Sequence, residues 1–110
     1  MGITYSFKTF GMKKFVVERN LPGAACLTTD ELQVISRLSC EAIVSLGQPY
    51  HWISSFITED KIYCIHIAEN EDVIREHARL SKMPVNTISE VKEIIDPLTS
   101  NPIKCLPKIN

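Results

Sequence analysis

The 110-residue chain contains no apolar run approaching the ~20 residues that a membrane-spanning helix needs, and its N-terminus lacks the apolar core of a secretory signal. Those absences set the expectation of a soluble cytoplasmic protein. Charge of one sign is also missing: 12 basic and 13 acidic side chains leave a formal net charge of −1, so nothing marks a surface for phosphate backbones or anionic lipid. Neither nucleic acid nor a membrane is expected as a partner. The four cysteines, Cys26, Cys40, Cys64 and Cys105, form no C-x-x-C pair, which excludes a zinc ribbon or redox dithiol read from spacing and leaves free, mostly buried thiols as the expectation. Nucleophile elbow, phosphate-cradling glycine loop, H-E-x-x-H and paired-carboxylate motifs are all absent, so standard hydrolase and nucleotide chemistry have no support.

What is present suits one folded domain. A content of 45% hydrophobic and 23% charged residues lies far from the low-hydrophobicity, high-charge composition of disordered chains. Residues 12–97 are expected to form the domain, with 1–11 as an N-terminal extension and 98–110 as an extended, proline-punctuated tail. Met1-Gly2-Ile3-Thr4-Tyr5-Ser6 fits the loose myristoylation template, a weak match.

Local signals give an order of elements. Lys13 to Arg19 is short and β-branched and runs into Asn20-Leu21-Pro22-Gly23, a strand closed by turn residues. Phe15, Val17 and Arg19 share one face of it, Val16 and Glu18 the other. Thr28 with Glu31 makes a capping box for a helix over about Thr29 to Leu46, whose inward stripe is Leu32, Ile35, Leu38 or Ser39, Ala42, Ile43 and Leu46, with Gly47 as the stop. Tyr50–Ile57 and Lys61–Ile67 flank a polar Thr58-Glu59-Asp60 as a β-hairpin, and Asn70 caps a second helix ending at Pro84. The segment Ile88 to Ile95 also fits a helical period, but two βα units around a hairpin call for a fourth strand beside the first. The expected architecture is an α+β ferredoxin-like sandwich, βαββαβ, with an antiparallel four-stranded sheet and two helices on one face.

Polar side chains inside apolar patterns carry the functional wager, because a buried polar group needs a partner. His77 falls in the inward stripe Val73, Ile74, His77, Ala78 and Leu80. Cys64 and His66 stand at i, i+2 on the third strand, where imidazole and thiolate could reach one nickel-, copper- or zinc-like ion. Glu18 is the third candidate from the neighbouring first strand, and His51 opens the second strand at a rim-like position. Arg75-Glu76 and Glu18-Arg19 read as solvated ion pairs worth little. The sheet face away from the helices, with Trp52, Phe56 and Ile65, points to a homodimer joined through sheets, a dimeric α/β barrel.

The segments Phe15 to Gly23, Trp52 to Phe56, Asp60 to Ala68 and Arg75-Glu76-His77-Ala78 resemble a family of small bacterial domains long without a known function, typified by an actinobacterial nickel-binding protein. The resemblance runs from about Met12 to Pro97 and implies a ferredoxin-like fold, a dimer and nickel binding in at least one branch. It transfers most directly to His77; relatives often carry tyrosine where His66 stands. Three readings follow: a divalent metal-binding protein using His77 with some of Glu18, Cys64, His66 and His51; a small cofactor-free oxygenase or isomerase with His77 as proton-transfer group; and a non-catalytic interaction module whose histidines are core residues.

Overall fold

The computed structural model describes residues 11–101; the Met1–Ser6 segment, Cys105, and most of the expected extension and tail lie outside them. Six elements follow in order: β1 (Lys13–Asn20), α1 (Thr29–Leu46), β2 (His51–Ile57), β3 (Lys61–Ala68), α2 (Glu71–Ser81) and β4 (Thr87–Glu90), with short 3-10 turns at Ala24–Cys26 and Pro97–Ser100. The sheet order is β2-β3-β1-β4 and every neighbouring pair is antiparallel. This is the ferredoxin-like arrangement the element order predicts.

Local chemistry sets the ends of the helices. Thr28 Oγ1 accepts from the Glu31 N–H at 3.1 Å while Glu31 Oε1 accepts from the Thr28 N–H at 2.9 Å, satisfying two donors that a helix start leaves open. Gly47 ends α1 in the left-handed region, φ 65°. Asn70 caps α2 through the Val73 N–H. That helix stops at Lys82, φ 60°, whose N–H reaches back to the Ala78 and Arg79 carbonyls, so it ends before Pro84 can terminate it.

The fourth strand is shorter than the apolar pattern to Ile95 suggests. Thr87 to Glu90 pair with Glu18 to Phe15, and the Val91 N–H still reaches the Lys14 carbonyl at 2.8 Å. Beyond that β1 has run out, because it starts at Lys13. The tail likewise begins with a compact turn, not an extended run: Asp96 Oδ1 accepts from the Leu98 N–H at 2.9 Å and caps Pro97–Ser100.

Alternation divides the sheet into two faces. Phe15, Val17, Ile62 and Cys64 face the helices and pack with Val73 and Ile74 of α2 in the core, each large apolar side chain stabilising by roughly 1.5–3 kcal/mol when fully buried. The outer face carries half-buried Val16, Tyr63, Ile65 and Ile67 and the 58% exposed Phe56. Trp52 is not among them: its Cα partner is His66, on the inner face. A bulge between Trp52 and Ser54 leaves Ile53 55% exposed. Cys26 and Cys40 are exposed and only Cys64 is buried among the described thiols, against the expectation of mostly buried cysteines. No helix of the described residues is long and apolar enough to cross a membrane.

Candidate functional site

The inner face of the sheet places three polar side chains, Arg19, Cys64 and His66, under the helices. Period-two alternation on β3 aims Cys64 and His66 inward, and the same alternation on β1 buries Arg19 in phase with Phe15 and Val17. On α2, one face buries Val73, Ile74, His77, Ala78 and Ser81, with Ser81 taking the place expected of Leu80. Ser39 is the buried polar position of α1, and Tyr50 lies just before β2. Arg19, Ser39, Cys64, His66 and His77 line a cavity of about 260 Å³ between α1 and the sheet, whose apolar walls include Leu32, Ile35, Trp52, Ile62 and Met83.

The aromatic rings interlock. Tyr50 stacks on His77 with centroids 4.7 Å apart and meets His66 edge-on at 5.3 Å, while the two imidazoles are 5.2 Å apart at 64°. Tyr50 Oη is 2.7 Å from His66 Nδ1. His77 Nε2 sits 3.2 Å from both the carbonyl oxygen and the hydroxyl of Ser39. A carbonyl only accepts, so Nε2 of His77 must carry the hydrogen and Nδ1 must hold a bare lone pair. That Nδ1 and the Nε2 of His66 are buried with no hydrogen-bond partner among the described residues.

Buried polar atoms in native proteins are nearly always satisfied, so two unpartnered ring nitrogens on residues that line one cavity call for an explanation. For His66 the hydrogen on the Tyr50 bond decides the role. If the phenol donates, Nε2 is an N–H donor; if Nδ1 donates to the phenol oxygen, Nε2 is a second bare lone pair.

Electrostatics keeps both rings uncharged. Burial, with the His77 ring and the Arg19 charge adding to it, holds His66 down at about 3. Burial also lowers His77, the Ser39 hydrogen bond opposing and the Arg19 charge assisting. Desolvation pushes Tyr50 well above the usual phenol range, so it remains a neutral hydroxyl.

The structure thus brings together His77, His66 and Cys64 and leaves out the other two candidates. Glu18 pairs across the sheet with Tyr63 on the outer face, where Lys61 Nζ lies 3.5 Å from its carboxylate. It cannot share a centre with His66, because its cross-strand partner Tyr63 and His66, three residues apart on β3, leave opposite faces of the sheet. His51 is exposed and opposite Ile67, also on the outer face. Arg19 is not part of a solvated pair with Glu18: it is 3% exposed and donates from Nε to Cys64 Sγ at 3.4 Å and from Nη1 to the Pro84 carbonyl at 2.8 Å. Glu76 does pair in solvent, with Arg79. No group of three or more His, Cys, Asp or Glu among the described residues is disposed to hold one metal ion.

Three residues of the site escape a sequence reading. Arg19 carries a signal in its phase with Phe15 and Val17, and Ser39 in its alternation with Leu38 on the helical stripe; Tyr50, outside the strand proper, carries none. The cavity beside both histidines also sets them apart from core residues whose polar atoms are all satisfied.

Residues 15–91 match the family model described as nickel responsive protein SCO4226-like. Among solved structures, SCO4226 from Streptomyces coelicolor A3(2) is similar with a TM-score of 0.63 over 74% of this chain and 99% of that one, at 14% sequence identity. At that identity the likeness is one of fold. No curated protein matches the chain.

Proposed function

The chain belongs to the SCO4226-like family of nickel responsive proteins, and we propose that it binds a nickel-like divalent transition metal in the cavity through His66 and His77. One observation carries this reading: two buried, uncharged imidazoles line one cavity, and each keeps a ring nitrogen without a partner. Imidazole binds such ions through a neutral nitrogen. Metal-bound histidines commonly donate their other N–H to a backbone carbonyl, the bond that His77 makes to Ser39. For His66, the tautomer that frees Nε2 is the one in which Nδ1 donates to Tyr50.

The fit is that of a half-site. Two imidazoles come from the described residues, and Cys64 lines the same cavity as a further potential donor, although its sulfur already accepts from Arg19. Water or an anionic co-ligand would complete the coordination, and an anion would also offset the Arg19 charge, which opposes a cation in the same low-dielectric space. The metal would supply Lewis acidity or a binding signal; the chain supplies neutral donors, fixed ring orientation and exclusion of water.

The outer sheet face supports self-association. Phe56 is exposed beside half-buried Val16, Tyr63, Ile65 and Ile67, apolar side chains that a second copy would cover. A proton-transfer role for His77 has one observation in its favour, the bare Nδ1 in an apolar cavity. The downward shift of that ring makes it a weak base, which counts against proton transfer.

Calorimetric titration of nickel into metal-free protein tests the proposal. Saturable binding is expected, weakened at least about tenfold by His77→Gln, since even losing the residue that orients a ligand costs 10–100-fold. Heat that is non-saturable, or unaffected in His77→Gln and His66→Gln alike, overturns it.

A further inference from the structure

Arg19 is a buried cation without an anion. Of the five N–H groups on its guanidinium, one donates to the Cys64 sulfur and one to the Pro84 carbonyl, leaving three uncommitted. None of the ion pairs of the described residues includes it: the carboxylate next to it in sequence, Glu18, faces the other side of the sheet toward Lys61. All 13 acidic side chains of the sequence lie between Glu18 and Asp96, within the described residues, so no other carboxylate side chain of this chain is left to serve. The two histidines beside it are neutral and bring no charge of either sign.

Desolvating a permanently charged group without a counter-ion is strongly unfavourable. Its position decides what could offset that cost. Arg19 lines the 260 Å³ cavity, and a guanidinium with free N–H groups matches a carboxylate in planar, two-pronged geometry. One cation fits one negative charge; a phosphate dianion would call for a second.

We infer that the cavity is a binding site for a small organic monocarboxylate, its carboxylate on the Arg19 guanidinium and its apolar body against Leu32, Ile35, Trp52, Ile62 and Met83. At the packing density of protein interiors the volume holds about ten non-hydrogen atoms, the size of a short branched-chain or single-ring acid. His66 and His77, each with an unpartnered ring nitrogen, line the same cavity as Arg19. This inference does not depend on the metal: Arg19 lacks its counter-ion whether or not an ion sits on the imidazoles.

The test uses the full chain in EDTA, with benzoate and isovalerate as probes and benzamide and isovaleramide as their uncharged counterparts, followed by calorimetry and by the Arg19 Nε–H resonance in 15N spectra. At least one acid is expected to bind with its amide tenfold or more weaker, to shift the Arg19 resonance, and to lose tenfold in Arg19→Gln, with Arg19→Lys between. The acid-against-amide comparison and the resonance need no variant, so they stand even if Arg19→Gln folds poorly. Acid and amide binding alike, no binding of either acid at millimolar concentration, or binding that appears only when nickel replaces EDTA would each overturn the inference. The last outcome would leave the metal reading intact, and acid binding in EDTA with no nickel affinity would do the converse.

Discussion

The backbone carbonyl of Ser39 holds Nε2 of His77 at 3.2 Å, and because that oxygen can only accept, it fixes which nitrogen of the ring is free. The free one, Nδ1, is buried without a partner. Long-range 15N–1H spectra of the metal-free protein should therefore show His77 as the Nε2–H tautomer. Ser39→Ala removes the hydroxyl and keeps the carbonyl, so the tautomer should persist at a cost of about 0.5–1.5 kcal/mol. An Nδ1–H tautomer in either protein would contradict the assignment.

Tyr50→Phe deletes the hydroxyl that meets His66 Nδ1 at 2.7 Å. Both ring nitrogens of His66 would then be buried without partners, a loss of about 1–3 kcal/mol. Chemical denaturation measures it, and a change below about 0.5 kcal/mol would mean that the bond contributes little.

Acid should weaken the metal-free fold through the same two rings. Their folded pKa values lie below the unfolded value, His66 at about 3 and His77 in the same direction. A base with a depressed folded pKa contributes its stability fully above the unfolded pKa, near 6.5, and loses it as pH falls below that because the unfolded chain takes up the proton first. Each unit through that window costs about 1.4 kcal/mol per fully shifted histidine. Urea midpoints should fall between pH 7 and pH 5, and His66→Gln should flatten the slope. A midpoint independent of pH over that interval would be inconsistent with buried neutral imidazoles.

Ile65→Lys places a charge in the middle of the outer sheet face. If two copies meet there, light scattering should show the wild-type chain as a dimer and the variant as a monomer with an unchanged far-UV spectrum. A wild-type monomer, or a variant that still dimerises, would remove the outer face as the contact.

Much of the frame is legible in the sequence because its signals are local. Thr28 and Glu31 announce α1 three residues apart, Asn70 announces α2, and the hairpin follows from two β-branched runs around Thr58-Glu59-Asp60. Distant relationships are harder. Glu18 reads as a neighbour of Cys64 and His66 until the register sets it against Tyr63 and hence on the other face. Arg19 reads as a surface charge because arginine is seldom buried, yet its phase with Phe15 and Val17 puts it inside. The bulge at Ile53, the left-handed Lys82 and the early end of β4 depend on backbone geometry and on the length of the partner strand, which no apolar pattern encodes. The site follows the same rule: His66, Cys64 and His77 are visible as polar residues out of place, while Tyr50 and Ser39, which orient the rings, emerge only when three elements meet.

The most direct measurement is nickel K-edge X-ray absorption on the loaded protein, set beside the His66→Gln/His77→Gln double variant. Two imidazole scatterers per nickel in the wild type, lost in the variant, are the result expected of a cavity site built on these rings. A spectrum without imidazole scattering, or one identical in the two proteins, would place any bound nickel elsewhere and contradict the proposal.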